Sequence, residues 1–457
     1  MSFSSWHLII LFLVLWIHLV EKCNSLSIDL IHHYSLKSPF YEPNLTYSDM
    51  IQRLLLSSRP KRIPFNNTLV DMKVIRPVLD CMDSTYLAEI NLGTFSRQQP
   101  TYKVYHLLFD TGSEVMWLQC EDCAKPGNRC FQQSGVPYQN RRSTSYMPLP
   151  CDQHQLCIPG QCIRAHCSYN SVYDDGSYSG GILAYETLKF VSSHQQRGEM
   201  VRVVIGCGHR NKMVGFSKEA GILGMNWGAR SFVNQVTGHS QRRFSYCLPP
   251  LTSNEFELAS TILRFGSDAP RLTGLHRLRM WEHYGEPFYY VDLQDISING
   301  RRLNIPSAYF TKTGPNKGGC IFDTGTRLTF ISRSAYNILK QQMMQHLATA
   351  DSSLRIGRSR GPLDLCYKRN PPFKGYNHLP TVTFNFAGGA NLVLQRDIVF
   401  IVWDGNKGRE IVCMGITPTN ENDVSIIGAQ SQANHVFVFN LPARSLYFGP
   451  RNCAQNP

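Results

Sequence analysis

No stretch of this 457-residue chain runs to 18 apolar residues, so nothing in it reads as a helix able to span a bilayer. Charge is sparse, at 17% Asp, Glu, Lys and Arg against 42% hydrophobic residues, which excludes a disordered or fibrous protein. Lys and Arg nowhere cluster with interleaved aromatics, which argues against a specific nucleic-acid binder. The tail Arg451 to Pro457 is too polar for a lipid-anchor signal. Acidic residues are the minority, 33 against 46 Lys and Arg, for a net charge of +13. A positive excess of this size admits anionic surfaces and a polyanionic wall as surroundings but names no function. The length exceeds one ordinary core and implies two large domains or three smaller ones.

Leu8 to Val20 is an apolar run of 13 residues, interrupted by His18 and followed by Glu21-Lys22 and a small Ser25. It is too short for a mature spanning helix and reads as the core of a signal peptide over 1–25, although no Lys or Arg precedes it. The expectation is therefore a secreted protein, with the vacuole also open. Fifteen cysteines suit that compartment. Cleavage near Ser25 removes Cys23 and leaves 14, an even number consistent with a disulfide framework. The chain after residue 80 keeps a net charge of +11, scattered rather than patterned.

Residues 26–80 are mixed. Ser27 to Ile31 looks like a strand, Tyr47 to Leu56 has helical apolar spacing, and the basic Arg59-Pro60-Lys61-Arg62 precedes a turn-rich piece. Both N-glycosylation sequons of the chain, at Asn44 and Asn66, fall here. The segment is read as a removable pro-segment, with a plain N-terminal extension as the alternative. Beyond Tyr86, short runs rich in Val, Ile, Phe and Tyr alternate with Gly, Asn, Asp and Pro, which predicts mostly β structure. Arg230 to Thr237 and Ser334 to Leu347 are the best helical candidates.

One repeat organises the rest. Leu108-Phe109-Asp110-Thr111-Gly112-Ser113 is echoed by Ile321-Phe322-Asp323-Thr324-Gly325-Thr326. Each copy is followed by two hydrophobic residues and a glycine: Ile222-Leu223-Gly224, ending 114 residues after Asp110, and Ile426-Ile427-Gly428, ending 105 after Asp323. A lone Asp-Thr-Gly arises by chance in about one chain in ten of this length. Two copies with matching downstream signposts imply a duplicated β lobe. Paired carboxylates within hydrogen-bond reach share one proton, so that one member can take a proton from water while the other polarises a carbonyl. Gly112 and Gly325 would let the two loops approach closely.

From about residue 84 to 453 the chain resembles the pepsin-like aspartic proteases. The resemblance implies a mainly β, bilobal acid-protease fold: an N-terminal lobe over 81–265, a C-terminal lobe over 266–457 and a substrate cleft between them. It implies Asp110 and Asp323 as the catalytic pair, Thr111 and Thr324 as a cross-brace between their loops, and Ser113 and Thr326 as donors to the outer carboxylate oxygens. It also implies a flap hairpin with a tyrosine, hydrogen-bonded by a tryptophan seven residues after the first Asp. Trp117 holds that place, with plain core packing as its alternative role. Tyr173-Asp174-Asp175-Gly176-Ser177 matches the plant flap pattern except for Asp174, making Tyr173 the flap tyrosine, with Tyr178 in competition. Arg327 replaces a usual Thr or Ser beside the non-primed half of the cleft. There it either crowds the site, favours acidic substrate side chains or is simply solvated.

Cys120, Cys123, Cys130, Cys151, Cys157, Cys162 and Cys167 crowd the 55 residues between Trp117 and Tyr173. Cys120-x-x-Cys123 followed by Cys130 raises zinc, but no well-spaced fourth ligand stands out, and staples on an insert at about 118–170 are the reading taken. This insert, with Cys207, Cys247, Cys366, Cys413 and Cys453 in their local motifs, resembles the nepenthesin-type plant aspartic proteases. Cys81 and Cys320 remain and are expected to pair with each other. The function implied is an aspartic endopeptidase made as a zymogen, acting on polypeptides as a monomer without metal or cofactor. The competing reading is a catalytically silent relative of the same fold, such as the xylanase-inhibitor-like or storage-globulin-like proteins; two whole Asp-Thr-Gly motifs favour the enzyme.

Overall fold

The computed structural model describes residues 26–57, 86–96, 100–173, 175–190, 199–214, 218–250, 260–283, 285–405 and 408–455. Residues 1–25, read above as a signal peptide, the sequon at Asn66, Cys81 and Asp174 lie outside the described residues.

Alternation of apolar side chains builds the central strands. The strand β1, Leu26–His32, buries Leu26, Ile28 and Leu30. It lies between β2, Tyr86–Leu92, and a strand at Ser260–Phe265, with Leu30 opposite Ala88 and Ile28 opposite Leu263. β3, Lys103–Asp110, is buried on both faces: Tyr105, Leu107 and Phe109 face the main core, while Leu108 packs with Trp117 and Tyr169. These strands belong to a 15-stranded sheet that continues through Arg243–Cys247 to the C-terminal hairpin His435–Asn440 and Ser445–Pro450. At that junction Phe244 lies opposite Phe439 and stacks on it, with ring centroids 4.6 Å apart.

The duplication read from the motifs is visible in the strand pairing. In the first half Gly221–Gly224 runs parallel to β3, with Leu223 opposite Phe109, and antiparallel to Trp117–Gln119. In the second half Ser425–Ile427 runs parallel to Cys320–Phe322 and antiparallel to Thr329–Ile331. Each half therefore ends a buried strand in an aspartate beside its hydrophobic-hydrophobic-glycine element. The result is a mainly β, bilobal pepsin-like fold.

Helix is confined to a few places. Tyr47–Ser57 and Arg333–Ala350 are the long helices among the described residues. The candidate at Arg230 to Thr237 is helical only in short pieces, the four-residue α-helices Phe232–Gln235 and Thr237–Ser240, separated where Val236 leaves helical geometry. No helix among the described residues is long and apolar enough to cross a membrane.

Six disulfides are present among the described residues: Cys120–Cys207, Cys123–Cys130, Cys151–Cys162, Cys157–Cys167, Cys247–Cys453 and Cys366–Cys413. Three lie wholly within the insert, and Cys120–Cys207 ties its start to the strand Glu199–Lys212. Of the sulfurs considered for zinc, Cys123 and Cys130 are bonded to each other and Cys120 is bonded to Cys207. The expected Cys81–Cys320 bridge is corrected: Cys320 is a free, fully buried thiol. Its strand turns the side chain into the main apolar core.

Candidate active site

Asp110 ends β3 and Asp323 follows the strand Cys320–Phe322, so two equivalent strands deliver the carboxylates to the junction of the halves. Both are almost fully buried. An added Cβ at Gly112 would lie 2.7 Å from Asp323 Oδ1, and one at Gly325 would lie 2.3 Å from Asp110 Oδ1. Those contacts are too short for any side chain, so both glycines are required by the approach of the opposite carboxylate.

A hydrogen-bond lattice fixes the loops. Thr111 N–H donates to Thr324 Oγ1 at 3.0 Å, and Thr324 N–H donates to Thr111 Oγ1 at 2.9 Å. Each threonine hydroxyl then donates to the opposite strand, Thr324 to Phe109 O at 3.0 Å and Thr111 to Phe322 O at 3.4 Å. Within each loop Gly112 N–H reaches Asp110 Oδ1 at 2.8 Å and Gly325 N–H reaches Asp323 Oδ1 at 2.9 Å. Ser113 Oγ donates to Asp110 Oδ2, and Thr326 Oγ1 donates to Asp323 Oδ2 at 2.6 Å.

Burial, and then the charge of Asp323, pushes the Asp110 carboxyl well above the usual carboxylate range. Burial also raises Asp323, against the hydrogen bonds from Thr326, Asp110 and the two glycine amides that favour its charged form. Two such groups hold one proton between them more tightly than either would alone.

Trp117 and Tyr173 meet: the indole Nε1–H donates to Tyr173 Oη at 2.7 Å, with both side chains buried. Tyr173 sits at the tip of the hairpin formed by His166–Val172 and Tyr178–Phe190. Its N–H donates to Ser177 O, and Gly176 N–H donates back to Tyr173 O at 3.0 Å. Tyr178 instead pairs in the strand with Val172 and Lys212.

Arg327 differs from the solvated reading. It is only 5% exposed and lines a small cavity with Tyr47, Tyr86, Asp397 and Gln430. Tyr47 on this cavity belongs to the segment before residue 80, which packs its Tyr34, Met50 and Ile51 against Leu328, Ile401 and Trp403. The same segment contacts the first half, His33 Nδ1 lying 3.0 Å from Glu219 and Glu42 making an ion pair with Lys218 at 3.0 Å.

Other residues in this neighbourhood were given no role by the motif reading. Asp175 accepts Ser177 N–H and Oγ–H, both at 2.6 Å. Ser179 donates to Asn211 Oδ1 at 2.8 Å and contacts Tyr169 Oη at 2.7 Å, forming a polar ladder across the flap base. Asp175 and Ser179 were visible as small polar residues around a Gly turn; nothing local signals Asn211.

Family models described as xylanase inhibitor N-terminal and xylanase inhibitor C-terminal match residues 86–267 and 288–450. Aspartyl protease family protein 2 of Arabidopsis thaliana is 31% identical over 376 residues, covering 81% of this chain and 71% of that protein. The chain belongs to the pepsin-like aspartic protease family. Within the family, aspartic proteinase nepenthesin-2 of Nepenthes gracilis is 28% identical over 418 residues, covering 90% of this chain and 87% of that protein. The crystal structure of Basic 7S globulin from soybean shares the fold at a TM-score of 0.59 and 18% identity, covering 81% of this chain and 94% of that one.

Proposed function

We propose that this family member is an aspartic endopeptidase, secreted and made as a zymogen with residues 26–80 as its pro-segment. The observation that carries the reading is the facing of Asp110 and Asp323 across Gly112 and Gly325, at separations only glycine permits. In the reaction proposed, the ionised member of the pair takes a proton from a water, which attacks the scissile carbonyl while the protonated member hydrogen-bonds the carbonyl oxygen. The resulting tetrahedral centre collapses as the leaving nitrogen is protonated by the pair. Tyr173, held by Trp117, closes over the polypeptide. The zymogen reading rests on β1 filling a central sheet position and on the His33–Glu219 and Glu42–Lys218 contacts that dock its following loop. Asn44 is exposed in that segment and open to glycosylation.

The alternative, a silent binding protein of the same fold, is favoured by the xylanase-inhibitor description of both matching models. One experiment separates them. The secreted product is acidified and followed for loss of the pro-segment and cleavage of a denatured protein. The endopeptidase reading requires both, with both abolished in Asp110→Asn. An inert wild type that binds a xylanase would establish the alternative.

A further inference from the structure

The two aspartate loops are tied a second time, at a distance from the threonine cross-brace. Met225 N–H donates to Asp110 O at 2.9 Å, and Asn226 N–H donates to Ser113 O at 3.0 Å. The turn that follows is clamped to the same loop by an ion pair. Glu114 Oε1 accepts Arg230 N–H at 3.1 Å, while Glu114 Oε2 accepts Nε–H at 3.2 Å and Nη2–H at 2.7 Å. The turn then reaches into the other half. Tyr289 Oη donates to Met225 O at 2.6 Å, and Trp227 N–H donates to Pro287 O at 2.8 Å. Tyr289 lies on the strand Glu286–Val291, whose neighbouring Tyr290 and Val291 pair with Ile321 and Cys320. Two residues beyond Ile321 stands Asp323. A continuous path of backbone and one phenol therefore connects the carbonyl of Asp110 to the strand that carries Asp323.

We infer that Tyr289, with the Glu114–Arg230 pair behind it, is a positioning device that sets the separation of the Asp110 and Asp323 carboxylates. The inference rests on the aspartic-protease reading for its catalytic consequence, but its geometric content does not. Tyr289 is fully buried, and burial raises its phenol well above the usual range, so it remains a donor at every pH of interest. Its ring is wedged against Phe439 at 4.7 Å and Trp227 at 5.8 Å, which leaves the hydroxyl one direction in which to point. Separation matters because the difference between the two proton affinities of a carboxylate pair grows as the groups approach. Loosening the path lets the loops part and brings the two affinities together. Tyr289 touches neither carboxylate and acts only through Met225.

The test uses the full-length chain, processed as it is secreted, and two variants. Tyr289→Phe deletes one hydroxyl and keeps the packing; Glu114→Gln keeps the volume and removes the charge that clamps the turn. In both, kcat falls about five- to ten-fold with KM nearly unchanged, and the limbs of the pH profile move toward each other. A titration of ¹³C-labelled aspartate carboxyls, with the pair assigned from Asp110→Asn and Asp323→Asn, shows the same narrowing without relying on activity. Unchanged carboxyl titration in both variants overturns the positioning role, even if their melting temperatures fall. If Asp110→Asn cleaves as well as wild type, the protease reading fails instead, and the titration still decides whether the device exists.

Discussion

Thr111 and Thr324 each receive the other's backbone N–H on the hydroxyl, at 2.9 and 3.0 Å, across a sequence gap of 213 residues. Because both pairs are buried, deleting one hydroxyl strands a donor without water to replace the partner. Thr324→Ala is expected to cost about 1–3 kcal/mol in urea unfolding. Thr324→Ser keeps the hydroxyl and should recover most of that loss. Equal midpoints for the two variants would show that the brace carries no energy.

The Trp117–Tyr173 bond makes a similar prediction for turnover. Tyr173→Phe leaves the buried indole N–H without this acceptor, and kcat/KM on a peptide should fall about ten-fold. Trp117→Phe added to it should cost less than it does alone, because the two residues share one interaction. Tyr178→Phe, at the residue competing for the same role, should stay within about two-fold of wild type. A larger loss at Tyr178 than at Tyr173 would reverse the flap assignment.

What the sequence revealed and what it hid divide along physical lines. The Asp-Thr-Gly loops and their glycines were legible because the chemistry of a shared proton restricts residue types over a few positions, and Trp117 was legible through the resemblance to the pepsin-like flap pattern. Arg327 was not: it is buried and lines a cavity with Tyr47, 280 residues upstream, and no local pattern announces such a meeting. The proposed pro-segment boundary at residue 80 followed composition, yet composition could not show that Ile28 lies opposite Leu263 in a central sheet. Disulfide partners were equally hidden, since Cys120 meets Cys207 only because Leu118 and Cys207 pair across parallel strands.

The buried dyad also predicts how stability depends on pH. The Asp110 carboxyl is raised above its ordinary 3.8 by burial first and by Asp323 second. A group that binds its proton more tightly folded than unfolded makes stability fall as pH rises, beginning near the ordinary carboxylate value and continuing to the raised one. Asp110→Asn mimics the protonated form and escapes this loss. It should therefore unfold at higher urea than wild type at about pH 7, with the gap closing toward about pH 3. The opposite order at neutral pH would mean that the carboxylate is stabilised as an anion.

Cys320 offers a direct test of the cysteine framework. Its thiol is buried in the main core, and burial, with the charge of Asp292 second, raises it far above the ordinary thiol value. Alkylation requires the thiolate and access to it, and the folded protein denies both. The native chain should therefore resist N-ethylmaleimide at Cys320. The same chain unfolded in urea, without reductant, should gain one adduct there, mapped by peptide mass. The twelve bridged cysteines should react only after reduction. Absence of the adduct under unfolding conditions, with a reductant-sensitive peptide joining Cys320 to Cys81, would restore the pairing expected for the two cysteines that the family resemblance left over.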